Sequence, residues 1–102
     1  MILATREDDR VVLRPANEAI VTGSLPALRS KLQEIVEEGV RELVLDLSEV
    51  PMVDAGGIGL LLATHNSLFE AGGSLTVIHA SPEIFELFET LRLSRYFRIS
   101  EN

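Results

Sequence analysis

The chain contains no cysteine. That removes disulfides and thiolate metal sites together. Histidine is scarce too, with only His65 and His79, and no third ligand stands at a suitable spacing, so no metal site is expected. Long apolar runs are missing: none approaches the roughly 18–20 residues of a membrane span, which argues against direct membrane insertion. The opening segment, Met1-Ile2-Leu3-Ala4 followed by Arg6-Glu7-Asp8-Asp9, has a signal peptide's elements in the wrong order and too short an apolar stretch. A soluble cytoplasmic protein is expected. Positive charge is also in short supply, with nine Lys and Arg against sixteen Asp and Glu, a net charge of −7. Such a surface repels phosphate backbones and speaks against nucleic-acid binding, while a basic protein surface is favoured as partner. Internal repeats, linkers and low-complexity tracts are absent, so residues 1–102 read as a single domain. A chain of that size buries roughly 60–65% of its unfolded surface.

What is present is an alternation of short apolar runs and helical stripes. Ile2 to Thr5 and Val11 to Leu13 read as two strands around a turn at Glu7-Asp8-Asp9-Arg10, with Pro15 limiting the second. Leu25, Leu28, Leu32, Ile35 and Val36 share one helical face, while Arg29, Lys31, Glu34 and Glu37 point away. Ser24 is placed to cap that helix, with Pro26 in its first turn and Gly39 as its stop. Leu43 to Leu47 is a nearly continuous apolar run, the pattern of a strand covered on both faces. Ile58, Leu61, Leu62, Leu68 and Phe69 form a second helical stripe that ends at Gly72-Gly73, and Leu75 to Ile78 is a further strand. Ser81-Pro82-Glu83 starts a third helix, for which Ile84, Leu87, Phe88 and Leu91 are the expected buried stripe. Tyr96 to Ile99 is a last short strand or a packed extension. This order predicts an α/β fold: a small mixed, mainly parallel sheet of four to five strands flanked by helices.

The most informative segment joins the central strand to the second helix: Asp46-Leu47-Ser48-Glu49-Val50-Pro51-Met52-Val53-Asp54-Ala55-Gly56-Gly57-Ile58. Asp54 is a suitable N-cap, favoured there by the helix dipole. Gly56 and Gly57 are expected to leave the backbone donors of the first turn bare and open to a partner or an anion. The position at the carboxyl end of a sheet strand is where open α/β sheets place their sites, although from spacing alone a tight strand-to-helix turn, with its glycines there for backbone reasons, is the commoner reading. No hydroxyl lies between Asp54 and Gly57, and the glycine-rich run is not followed by the Lys-Ser/Thr pair of a nucleotide-binding loop. No nucleophile, base and oxyanion donor are spaced as in a hydrolase, and His65, near the apolar stripe, reads as a half-buried packing residue. Neither an enzyme nor a cofactor is expected.

These residues resemble the STAS domain family, in size its free-standing anti-sigma factor antagonist type. In that family a strand ending in Asp-Leu leads to a loop reading Asp-Ser-Ser-Gly or Asp-Ser/Thr-x-Gly; here Asp46-Leu47 and Asp54-Ala55-Gly56-Gly57 stand in those places. The similarity extends to Glu70-Ala71-Gly72-Gly73, to Leu87-Phe88-Glu89 with Leu93, and more weakly to Asn17-Glu18-Ala19-Ile20. The resemblance implies a regulatory binding module that docks on an anti-sigma factor or serine-kinase-like switch protein through Asp54, Ala55, Gly56, Gly57, Ile58 and the following helix. It also implies that Gly56 stands where the usual phosphoacceptor serine would be. Neither Ala55 nor Gly56 can be esterified, so the expected state is permanently unphosphorylated; Ser48 is the substitute acceptor considered, with an ordinary polar loop residue as its plainer reading. STAS domains also serve lipid and anion transporters, so a soluble subunit of a membrane transport complex is the alternative. Arg92 departs from the family, which often has glycine there, and predicts a longer last helix.

Overall fold

The computed structural model describes residues 1–101. β1 (Ile2–Glu7) and β2 (Arg10–Pro15) form an antiparallel hairpin that turns at Asp8-Asp9. The chain then adds β3 (Glu42–Asp46), β4 (Ser74–Ala80) and β5 (Arg98–Glu101), each parallel to the strand before it, giving a five-stranded sheet in the order β1-β2-β3-β4-β5. The crossovers contain α1 (Leu25–Glu37), α2 (Ala55–Glu70) and α3 (Pro82–Thr90). A mixed, mainly parallel sheet flanked by three helices is thus the architecture.

Register and period explain the core. Leu13, Leu45 and Val77 are aligned across three strands, as are Val11, Leu43 and Leu75. All six are buried in one cluster with Leu28, Leu32 and Ile35 of α1, Leu61 and Leu68 of α2, and Ile84 and Phe88 of α3. Val44 points the other way. It is buried as well, but outside that cluster, between the half-buried Val12 and Thr76 of the flanking strands. β3 is thus buried on both faces, with the helix-packed cluster on the face of Leu43 and Leu45.

Three expected core positions are outside. Phe69 is 71% exposed, one helical step past the buried Leu68, and its ring lies 5.9 Å from that of His65. Leu87 and Leu91 are exposed too, the first one step from the buried Phe88 and the second already at the C-cap of α3. Ser24 does not cap α1. Its hydroxyl donates to the Ala19 carbonyl at 2.7 Å and accepts from the Val21 N–H at 3.2 Å, because a single 3-10 turn, Thr22–Ser24, precedes the helix.

The last helix is not longer. It ends at Thr90, and Arg92 takes a left-handed conformation, φ 58. The chain has to reverse there to return Leu93 and Phe97 to the core, where both are buried. An arginine thus adopts the backbone shape usually left to glycine, at a local cost of about 1–2 kcal/mol offset by that burial.

Leu45 and Leu61 are 0% and 1% exposed at the centre of the cluster. Truncating either to alanine is expected to cost roughly 2–5 kcal/mol. In a domain of this size that lowers the thermal midpoint by about 8 °C or more. Calorimetry of the two variants is the check, and midpoints within a degree or two of wild type would show the assigned faces to be wrong.

Candidate functional site

Beyond β3 the chain is held by apolar side chains rather than by regular pairing. Leu47, Val50 and Val53 are buried, and the Leu47 N–H donates to the Ile78 carbonyl at 2.9 Å. Val53 forms an isolated parallel bridge with Ile20: the Ile20 N–H donates to the Met52 carbonyl at 3.0 Å and the Asp54 N–H to the Ile20 carbonyl at 3.1 Å. Two distant loops are thereby locked side by side at the carboxyl end of the sheet, and α2 starts from this joint.

Asp54 caps α2, as its place in the sequence suggests. Oδ1 accepts from the Gly57 N–H at 2.9 Å. Oδ2 accepts from both the N–H and the hydroxyl of Thr22, at 3.0 and 3.1 Å. The Thr22 N–H, then the Gly57 N–H, hold the carboxyl below the usual carboxylate range; the Thr22 hydroxyl and the Gly56 N–H add to this, and desolvation opposes it. The site is therefore a fixed anion at a helix start with its donors already engaged.

The glycines do not leave the turn bare. Gly57 is buried, and a Cβ on it would meet the Ile20 carbonyl oxygen at 2.3 Å. A Cβ on Gly56 would lie 2.4 Å from Thr22 Oγ1, so the space beside that residue is taken by a hydroxyl. Ile58 is half-buried and packs against the core. What faces outward is Ala55, then Gly59 and Ala63 at successive helical turns, all exposed, with the 54%-exposed Met52 nearby in the loop. None of these residues carries a charge.

The other candidates lie apart from this joint. Ser48 is exposed, and its N–H donates to Asp46 Oδ1 at 2.9 Å; His79 Nδ1 lies 3.1 Å from the same oxygen. Burial pushes the Asp46 carboxyl up, but the Ser48 contacts and His79 outweigh it and leave the group below the usual range. His65 is half-buried among Phe69, Tyr96 and Phe97, with ring centroids 5.9 to 6.1 Å away. Among the described residues no three His, Cys, Asp or Glu converge on a metal position, and no helix is long and apolar enough to cross a membrane. Thr22 is the participant that sequence reasoning missed. It stands 32 positions from Asp54, and only the fold brings the two together.

Two predictions follow from this joint. Gly57→Ala places a methyl against a backbone carbonyl and is expected to cost about 1–3 kcal/mol or more. Gly59→Ala meets nothing within 4 Å and is expected to stabilise by about 0.5–1 kcal/mol through helix propensity. Denaturant unfolding of the pair checks the sign of each. The second concerns pH. Because the folded pKa of Asp54 is depressed, its contribution is complete above the ordinary value of 3.8 and fades as pH falls through the lower folded value. The wild type is expected to lose stability below about pH 4 more steeply than Asp54→Asn. Parallel acid profiles in thermal melts would rule out this role for the carboxylate.

A STAS domain family model matches residues 2–102. The anti-sigma-B factor antagonist of Bacillus subtilis (strain 168) is 32% identical over 77 residues, spanning 76% of this chain and 70% of that protein. The protein of the same name from Staphylococcus aureus (strain NCTC 8325 / PS 47) is 27% identical over 78 residues, 76% of this chain and 72% of its own length. Among solved structures, an anti-sigma factor antagonist from Mycobacterium paratuberculosis superposes with a TM-score of 0.87 at 24% identity, covering 100% of this chain and 86% of that one. The Bacillus cell fate determinant SpoIIAA in its phosphorylated form does so at 0.76 and 18%, covering 97% and 90%. At these identities the two structures speak for the fold alone.

Proposed function

The chain belongs to the STAS domain family, and from that premise we propose that it is an anti-sigma factor antagonist, a regulatory binding module rather than an enzyme. Its partner in this reading is an anti-sigma factor or a related serine-kinase-like switch protein, and binding it frees a sigma factor or another client. The contact runs through Asp54, Ala55, Gly56, Gly57 and Ile58 and along the outer face of α2. The chain needs no cofactor for this, and the cytoplasm is where such a partner is met.

The observation that carries the reading is the joint at Asp54. The loop is fixed from both sides before any partner arrives, by the Ile20–Val53 bridge and by the Asp54 contacts to Thr22 and Gly57. Preorganisation of this kind lowers the ordering cost of association. The stripe beside it, Ala55, Gly59 and Ala63, lets a partner approach the helix backbone closely without desolvating a charge. The surrounding excess of acid, −7 overall, steers a basic partner towards it. Gly56 itself carries no hydroxyl, so the position that the family uses for phosphate is silent here.

Gly56→Asp tests the docking surface. A carboxylate buried without a partner in the interface is expected to cost about 2–5 kcal/mol of binding, or roughly 30- to 4,000-fold in dissociation constant. Gly56→Ala is the control, since its Cβ makes the same close approach to Thr22 without the charge. Calorimetric titration with the purified partner separates the two, after circular dichroism has shown that both variants fold. Equal affinity for the aspartate and alanine variants would remove the loop from the interface.

A further inference from the structure

We propose that the groove between the last turns of α2 and the start of β5 is a binding site for a small planar aromatic carboxylate. The groove lies at the amino end of the parallel strands, away from the Asp54 joint. It does not depend on the docking role proposed above.

The first ground is how the fold opens it. β5 pairs with β4 from Thr76 onward, through Arg98. Among the described residues, Ser74 and Leu75 therefore have no strand beside them on that flank. The gap measures about 420 Å³, a size common among small-molecule sites. Leu75, 2% exposed, forms its floor. His65 and Phe69, one turn apart on α2, line one side, and Tyr96 and Phe97 line the other.

The second ground is the rings. Of the chain's four Phe and one Tyr, three line this groove. Phe97 is buried, but Phe69 and Tyr96 are 71% and 51% exposed. The His65 ring neighbours all three, with centroids 5.9 Å from Phe69, 6.1 Å from Tyr96 and 5.9 Å from Phe97. Aromatic surface gathered in one exposed place marks a binding site when no fold contact accounts for it. Such faces accept a further flat ring by offset stacking or edge-to-face contact. The groove between α1 and α2, with Leu32, Val36 and Leu60 in its lining, has no aromatic side chain.

The third ground is charge. Glu42 also lines the groove, but Arg10 Nε holds its carboxylate at 3.0 Å. Arg98 lines it too and, among the described residues, enters no ion pair. His65 Nδ1 is buried with no hydrogen-bond partner, so Nε2 is the ring's remaining polar atom. The uncompensated charge at the groove is therefore positive. A guanidinium takes a carboxylate through two parallel N–H donors. The net charge of −7 repels anions at large, so an anion that stays here is held by Arg98 and the rings rather than by the overall field.

Naphthoate is the probe, titrated into the full chain. With one Tyr and no Trp, emission excited in the tyrosine band comes from Tyr96 and reports on the groove. Tyrosine amide in a parallel titration corrects for light absorbed by the probe. Saturable quenching is expected, with a dissociation constant tighter than about 1 mM. Shifts of the Leu75, Thr76 and Arg98 amide signals in nitrogen–proton correlation spectra are expected with it. Arg98→Gln is expected to weaken binding about tenfold or more, and Phe69→Ala by about 3- to 10-fold. Both residues are exposed, and circular dichroism checks that the variants fold. Naphthylmethanol, the same rings without the charge, is expected to bind about tenfold more weakly than naphthoate, or worse. A dissociation constant weaker than about 1 mM, amide shifts confined to other parts of the chain, or unchanged affinity in Arg98→Gln overturns the site. Equal binding of the alcohol and the acid, or tighter binding of naphthylmethylammonium, overturns the carboxylate as its ligand.

Discussion

The Ile20 carbonyl passes so close to the first turn of α2 that a single added carbon on Gly57 would meet it at 2.3 Å. Much of the carboxyl end of the sheet depends on that approach. It allows Ile20 to bridge Val53, and the bridge places Thr22 where its N–H and hydroxyl reach Asp54. Asp54 in turn caps the helix whose inner face, through Leu60, Leu61, Thr64 and Leu68, closes the core. A residue without a side chain is thus required by backbone proximity, since buried backbone groups this close have no room to yield. The same approach aligns the loop that the proposed partner meets.

Helix α2 divides its circumference between the core and an outer face. Leu60, Leu61 and Leu68 face inward with Thr64, while Ala55, Gly59 and Ala63 look outward. Small residues at successive turns of an exposed face contribute almost nothing to stability, and glycine there weakens the helix. Gly59 has open space around it, so no packing demand explains it. A surface selected only for solubility would carry charge at such positions, as the outer face of α1 does with Arg29, Lys31, Glu34 and Glu37.

Much of this was legible in the sequence, and the division between what was and what was not has a physical cause. The strands and helices announce themselves by period, and Leu45 and Leu61 lie where their stripes put them. Asp54 was readable as a cap because capping is local, spanning the three residues to Gly57. Local pattern misleads where it meets tertiary geometry. Phe69, Leu87 and Leu91 continue apolar stripes but rotate out or fall past a helix end, and hydrophobicity alone does not register a single step of about 100°. Arg92 has no propensity for a left-handed turn; the pull of Leu93 and Phe97 into the core imposes it. Thr22 carries no sequence signal at all, since its role exists only once the Ile20–Val53 bridge has formed.

That bridge also couples residues 22 and 56. A side chain at Gly56 and the present position of the Thr22 hydroxyl exclude each other, because 2.4 Å is far inside van der Waals contact. Thr22 is a flexible end and not backbone, so rotation of its side chain would relieve the clash, but the hydroxyl bond to Asp54 Oδ2 would then be given up. The backbone N–H of Thr22 would still hold that oxygen, so the cap and the loop would survive with one donor fewer. A serine at residue 56 is therefore not a one-residue change: it alters the electrostatics of Asp54 while it adds an oxygen. Glycine at 56 and threonine at 22 form one arrangement, in which the hydroxyl at this loop comes from the turn before α1 and not from α2 itself.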